Sequence, residues 1–368
     1  ERARMLFQIA ECYRFTEDAS QAESWYKKAI AAGYDDNAAI LYMADAIRIQ
    51  GRYDEALVEY NKFLKAAPGD KRGESGAKAC EKALVWTKEP TRYEVNNEVL
   101  LNSKQYDFSP LFIDKKNEEI MFTSTREGSV GTAVDDRSGE NFSDLYTSKR
   151  DKKGKWGVPG PVAEPVNTGA HEGSASMNAR KNSLYFTRCS KEKKKIMGCQ
   201  IYKAKRQGKN WGEPELIDLG LNDTVRIGHP FVMNKEQTLI FAANGLPGGY
   251  GGRDLWYTTY NKKERAWGAP VNLGSEVNTS DDEMFPFVRQ NGDLYFASNG
   301  HVGMGGLDIF HAKKTGEMLW GDAQNMKSPI NSPANDFGLI FEGDKNRGFF
   351  SSSREGGKGG DDVYSFFW

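Results

Sequence analysis

The residues that could do chemistry are few, and most of them recur. Asp107, Glu172, Glu283 and Asp336 each open a short apolar segment at a matching place in a repeated phrase. Carboxylates gathered at the mouth of a tunnel could serve as acid and as nucleophile or base toward a glycosidic bond, or could hold a cation. All four belong to the repeat itself, so their surroundings should be alike. Acid–base catalysis instead needs carboxylates whose environments pull their pKa values apart. The expected role is hydrogen bonding within the fold, with ligand binding at the tunnel mouth as the alternative. A second set, Asp144, Asp254, Asp308 and Asp362, follows Gly-rich turns and is expected to cap turn amides.

Other chemistries fail on context. The phrases GMGGLD, GGYGGRD and GKGGDD lead into strands, whereas a phosphate-binding glycine loop opens a helix. Asp281-Asp282-Glu283 and Asp361-Asp362 lack the alternating oxygen ligands of a calcium loop. His171, His229, His301 and His311 have no recurring Ser or Cys beside them, and no GxSxG elbow is present. No catalytic residue, metal or cofactor is therefore expected. Cys189 and Cys199 flank the turn KEKKKIMG and should face each other across a hairpin mouth. A disulfide there would imply an oxidising compartment. Cys12 and Cys80 should be kept apart by an intervening helix.

Composition narrows the class. Fifty Lys and Arg against 51 Asp and Glu leave a net charge of −1, which removes the basic footprint of a nucleic-acid binder. No apolar run approaches the ~20 residues that cross a bilayer, so no membrane-spanning segment is expected. The four cysteines are too few for a disulfide framework and lack zinc-ligand spacing.

The elements that must carry these residues come from two repeats. Up to about residue 90, Ala-rich segments show helical periodicity, and residues 3–36 superpose on 37–70 at a 34-residue period. Leu6 falls on Ile40, Ala10 on Ala44, Ala22 on Ala56 and Tyr26 on Tyr60. Such helix pairs present a concave face. Here that face would include Phe7, Glu11, Arg14, Leu41, Asp45 and Arg48, candidates for holding a partner peptide.

From residue 91 a hairpin recurs five times. Its second strand opens at Asp144, Gln200, Asp254, Asp308 and Asp362, spaced 56, 54, 54 and 54 residues apart. Trp156, Trp211, Trp267 and Trp320 each precede an Asn by eleven residues. Each unit is therefore about 55 residues of four short strands, and a ring of such units buries faces and edges that one cannot. The expected fold is an N-terminal helical repeat domain, residues 1–90, followed by a five-bladed β-propeller, residues 91–368. The segment Tyr93–Asn97 should complete the last blade beside the C-terminal strand. The second copy departs most from the pattern, and its tip residues Lys191, Lys193, Lys194 and Lys195 are candidate partner-docking residues.

The 34-residue repeat resembles tetratricopeptide (TPR) arrays. The phrase LYFASNG…GGLDIF resembles the WD40-like PD40 repeats of TolB and its relatives. A TPR array followed by such a propeller resembles OmpA-associated envelope proteins of Bacteroidetes, type IX secretion components among them. The resemblance implies a non-enzymatic periplasmic scaffold at the outer membrane, docking other proteins of an envelope or secretion complex. It also implies a lipid anchor upstream of Glu1 and peptidoglycan contact only through a domain beyond Trp368. The alternative is a glycan- or ligand-binding propeller, less favourably a glycosidase, using the tunnel-mouth carboxylates.

Overall fold

The computed structural model describes residues 1–130, 134–135, 139–190, 198–222 and 224–368. Five helices come first: α1 (Arg2–Phe15), α2 (Ala19–Ala31), α3 (Ala38–Arg48), α4 (Tyr53–Ala66) and α5 (Lys71–Lys88). Side chains start two of them. Asp18 accepts from the Gln21 amide and Asp70 from the Arg72 amide, each at 3.0 Å, satisfying donors that a helix start leaves orphaned. Small residues let the helices approach: a Cβ added at Gly76 would lie 2.2 Å from the Tyr60 ring. The apolar stripe of each helix meets in one core around Tyr26, Leu41, Tyr60 and Phe63. The unit holding these helices runs to Arg92 and takes in two further segments, His301–Asp308 and Asn325–Asn335. Met304 belongs to its core.

The second unit is built on five antiparallel sheets in a five-bladed propeller-like arrangement. In each blade the innermost strand pairs with a second and the second with a third, and a short outer strand pairs with the third. The innermost strands are Asp107–Phe112, His171–Met177, Arg226–Met233, Glu283–Val288 and Asp336–Phe341. The middle strands are buried on both faces, which their sequences EIMFTS, SLYFTRC and TLIFAAN require. In the fifth blade, Glu94–Asn97 occupies the outer place, with Val95 opposite Phe366 and Asn97 opposite Tyr364.

One repeated asparagine ties the outer connection to the third strand. The Asn167 side chain accepts from the Leu145 amide and donates to its carbonyl, both at 2.9 Å. Asn278 does the same to Leu255, and Asn102 to Val363. A buried amide side chain here replaces a strand neighbour. The disulfide Cys189–Cys199 closes the second blade's hairpin, whose strands place the two residues opposite each other.

Candidate functional site

All five innermost strands carry a bulge at the same place. Residues Ser109, Ser174, His229, Phe285 and Gly338 have φ of 54°, 43°, 51°, 53° and 64°, and the pairing register slips at each. Four side-chained residues in the left-handed region are costly one by one. Neighbouring blades hold three of the five bulges: Ser109 N donates to Ser351 Oγ, Ser174 N to Thr123 Oγ1 and His229 N to Thr187 Oγ1, at 2.8, 3.0 and 3.0 Å. The seam is close. A Cβ at Gly173 would lie 2.7 Å from Thr123 Cγ2. At the equivalent places of blades three and four stand Ala242 and Ala297, and the rings of Phe285 and Phe337, on the next inner strands, meet at a tilt of 35° with centroids 4.7 Å apart.

The bulges and the strands beyond them line an axial cavity of about 560 Å³. Its two sides differ. Blades three to five supply Phe231, Phe285, Phe287 and Phe341, while blades one and two supply Ser109, Ser174 and Ser176 beside the apolar Leu111, Phe112 and Met177. The loops that leave the inner strands add Lys115, Lys181 and Arg289, with Asp114 as the one carboxylate among the described lining residues. Asp114 is already committed, accepting from the amides of Lys116, Glu118 and Glu119. Ordinary small-molecule sites share this make-up, an apolar space with a few placed polar groups.

Two buried polar atoms in that lining have no hydrogen-bond partner among the described residues: His229 Nδ1 and Ser176 Oγ. The His229 ring stacks on Phe285, with centroids 4.0 Å apart and planes 11° apart. Burial, reinforced by Arg253, pushes the imidazole down to about 3, so it is neutral near pH 7. Lys181 donates to the Phe112 carbonyl at 2.6 Å, and burial pulls its ammonium down to about 8. An enclosed neutral imidazole, an enclosed hydroxyl and a cationic rim together can orient a small ligand bearing hydroxyls and a negative charge.

The carboxylates expected at the tunnel mouth are elsewhere. Asp107, Glu172, Glu283 and Asp336 are fully buried and line no part of the cavity. Glu172 accepts from Thr168 N, Thr168 Oγ1 and Arg188 Nε at 3.1, 2.6 and 2.8 Å. Glu283 is held by Thr279 and Ser298, Asp336 by Arg354, and Asp107 by Ser103, Ser124 and Arg126. They clamp the preceding turn to the second strand of their own blade, the hydrogen-bonding role expected of them, but away from the cavity rather than at its mouth. Burial pushes Glu172 and Glu283 above the usual carboxylate range, against the pull of their hydrogen bonds. Asp144, Asp254, Asp308 and Asp362 accept from turn amides, as at Val130 and Tyr250, both 2.6 Å away.

Four of the six helical candidates, Glu11, Arg14, Asp45 and Arg48, sit in a repeated internal network. Tyr26 donates to Glu11 and Tyr60 to Asp45, 34 residues on; Arg14 pairs with Glu11. Arg48 donates to Tyr60 and, at 2.6 Å, to the Gly305 carbonyl. Leu41 is in the core and Phe7 stacks on Tyr34 at 4.4 Å. Lys191, Lys193, Lys194 and Lys195 lie outside the described residues. His171 contacts Ser143 and Asp135, and His311 contacts Asp293. The cavity residues escaped sequence reading, although Ser-Pro, His-Pro and Phe-Pro at one repeat position were a legible bulge signal.

No protein-family model matches the chain, and no curated protein matches it. Among solved structures it is similar to a glycoside hydrolase, at 12% identity and TM-score 0.52, over 77% of this chain and 94% of that one. It is also similar to a luciferin-regenerating enzyme, at 11% identity and TM-score 0.41, over 75% and 95%. A Trypanosoma rangeli sialidase follows at 9% identity and TM-score 0.42, over 75% of this chain and 59% of the sialidase's own length. At such identities the likeness is one of fold. The expectation of a non-enzymatic envelope scaffold is corrected here. The propeller contains a polar-lined axial cavity that docking by outer surfaces does not require, and it shares its fold with the glycoside hydrolase.

Proposed function

We propose that the propeller binds a small acidic sugar, or a ligand of the same chemistry, in its axial cavity. The observation that carries the reading is the cavity's mixed lining. The phenylalanines suit the C–H face of a pyranose, the serines with His229 Nδ1 suit its hydroxyls, and Lys115, Lys181 and Arg289 suit a carboxylate. Hydrolysis of a glycosidic bond ordinarily needs two carboxylates flanking it. Among the described lining residues only Asp114 is a carboxylate, and its hydrogen bonds are spent on its own loop. Binding is therefore favoured over turnover. Calorimetric titration with D-galacturonate should give saturable heat with Kd between about 1 μM and 1 mM. D-galactose should bind more weakly, and Lys181→Met with Arg289→Met should erase the difference. Equal binding of both sugars, or none, overturns the proposal.

We also infer that the helix pairs are TPR-type repeats and that Glu94–Asn97 fastens the propeller ring. Support comes from the Tyr26/Glu11 and Tyr60/Asp45 pairs one period apart, and from the register beside Asp362–Phe367. The disulfide supports an oxidising compartment, with the periplasmic side of a cell envelope as the specific proposal. Thiol labelling of protein taken from its native cell, without reduction, tests this: reactive Cys189 and Cys199 would refute it.

A further inference from the structure

A second cavity of about 560 Å³ lies between the outer parts of blades two and three. Its rim carries Lys205, Lys235, Lys262 and Arg265, and the rings of Tyr260 and Trp267 meet edge to face at 5.3 Å beside them. Of its three carboxylates, Glu236 is already paired with Lys203 at 2.9 Å and accepts from Tyr185 Oη at 2.9 Å.

The wall between this groove and the axial cavity is an unusual turn. Asn234, Lys235 and Glu236 have φ of 51°, 56° and 66°, three consecutive residues with side chains in the left-handed region. Such a run is costly and persists only where its surroundings over-determine it. Here Glu236 supplies the anchor, through Lys203 and Tyr185. The effect is to set Asn234 in the lining of the axial cavity and Lys235 in that of the groove.

We propose that the groove is a subsite for the continuation of an acidic oligosaccharide whose end occupies the axial cavity. The inference rests on the axial cavity being a sugar site, and it adds that the natural ligand is a chain. Successive carboxylates of such a chain meet Lys235, Lys262 and Arg265, and sugar faces meet Trp267 and Tyr260. Charge and aromatic surface together fit a uronic-acid chain better than an acidic peptide, which has no flat C–H face to stack. Linking two subsites makes the second contact intramolecular, so affinity rises with chain length without new chemistry at the first.

The test uses the full chain with galacturonic acid and tetragalacturonate as probes. The tetramer should bind at least roughly tenfold more tightly than the monomer. Lys235→Glu with Lys262→Glu should return the tetramer to monomer affinity and leave the monomer unchanged. Trp267→Ala should lower tetramer affinity alone. Lys152→Glu with Lys153→Glu, in an exposed loop, should change neither. Monomer binding without any tetramer gain overturns the groove and leaves the axial reading standing. Tetramer binding that survives Lys181→Met but falls with the groove pair, with no monomer binding, overturns the axial reading instead. Equal losses from the groove pair and the loop pair mean unspecific polyanion attraction and overturn the subsite. A poly-glutamate peptide that competes as well as the tetramer overturns the sugar assignment.

Discussion

Replacing Glu172 and Glu283 separates a structural clamp from a working carboxylate. Each side chain is fully buried. At Glu172, alanine removes three hydrogen bonds and leaves Arg188, whose side chain is only 12% exposed, without its carboxylate. Breaking a buried ion pair from one side costs about 3–5 kcal/mol, because the remaining charge stays buried. With Tm moving about 2–4 °C per kcal/mol in a domain of this size, Glu172→Ala should lower the propeller's midpoint by roughly 10 °C. Among the described residues Glu283 has hydroxyl and amide partners, so its removal should cost less, about 1–3 kcal/mol. Glu→Gln at both positions keeps some acceptors and should fall below the alanine costs. The pH dependence has a definite sign. Burial raises both folded pKa values above the ordinary carboxylate range. The folded state thus binds these protons more tightly than the unfolded one, and their unfavourable contribution grows as pH rises through that window and is complete above it. The stability difference between wild type and the double Gln variant should therefore change between the ordinary carboxylate value and the raised one, and level off at higher pH. Circular dichroism during urea and thermal unfolding measures both quantities, and galacturonate titration of the folded variants measures the cavity. Unchanged stability combined with lost binding would refute the clamp and restore these residues to a ligand site.

Asn167→Ala should cost about 1–3 kcal/mol, since it strands the Leu145 amide and the Val162 carbonyl in a buried place, while the Leu145 carbonyl keeps its bond from the Val162 amide; urea midpoints check it. Reducing the Cys189–Cys199 bond, which closes a loop of sequence separation 10, should lower stability by about 2–3 kcal/mol, read from unfolding with and without reductant. Glu236 is driven the other way from Glu172: burial opposes its charge, but hydrogen bonds from Lys203, Ser183, Tyr185 and Asn178 outweigh it and hold it at about 2. Its stabilising contribution is present above the ordinary glutamate value and lost as pH falls toward 2, so the gap between wild type and Glu236→Gln should close over that range.

How much was legible depended on whether the signal was local and repeated. The helix pairs, the five hairpins, the turn-capping aspartates and the repeated asparagines follow from residue type at a fixed period, and the opposed cysteines from flanking one turn. Local propensity and strand register act within one unit, so five copies state them five times. The carboxylates Asp107, Glu172, Glu283 and Asp336 were visible in the same way, and so was hydrogen bonding as their role, but their position was not. Periodicity places them at the start of inner strands, but only the neighbouring turn and second strand decide that they are walled in rather than set at a mouth. Arg48 is similar: its face on α3 follows from spacing, while its bond to Gly305 joins residues 257 apart in sequence. The cavity lies beyond sequence reading for a further reason. Its floor exists because five bulges turn Ser109, Ser174, His229, Phe285 and Gly338 out of strand alternation, and three of them are held by hydroxyls on the preceding blade. Alternation by itself would have given these residues the wrong face. The amino-acid order by itself determined the repeats and their elements. Only the packing of blade against blade decided which side chains meet at the axis, because those contacts join residues that no period brings together.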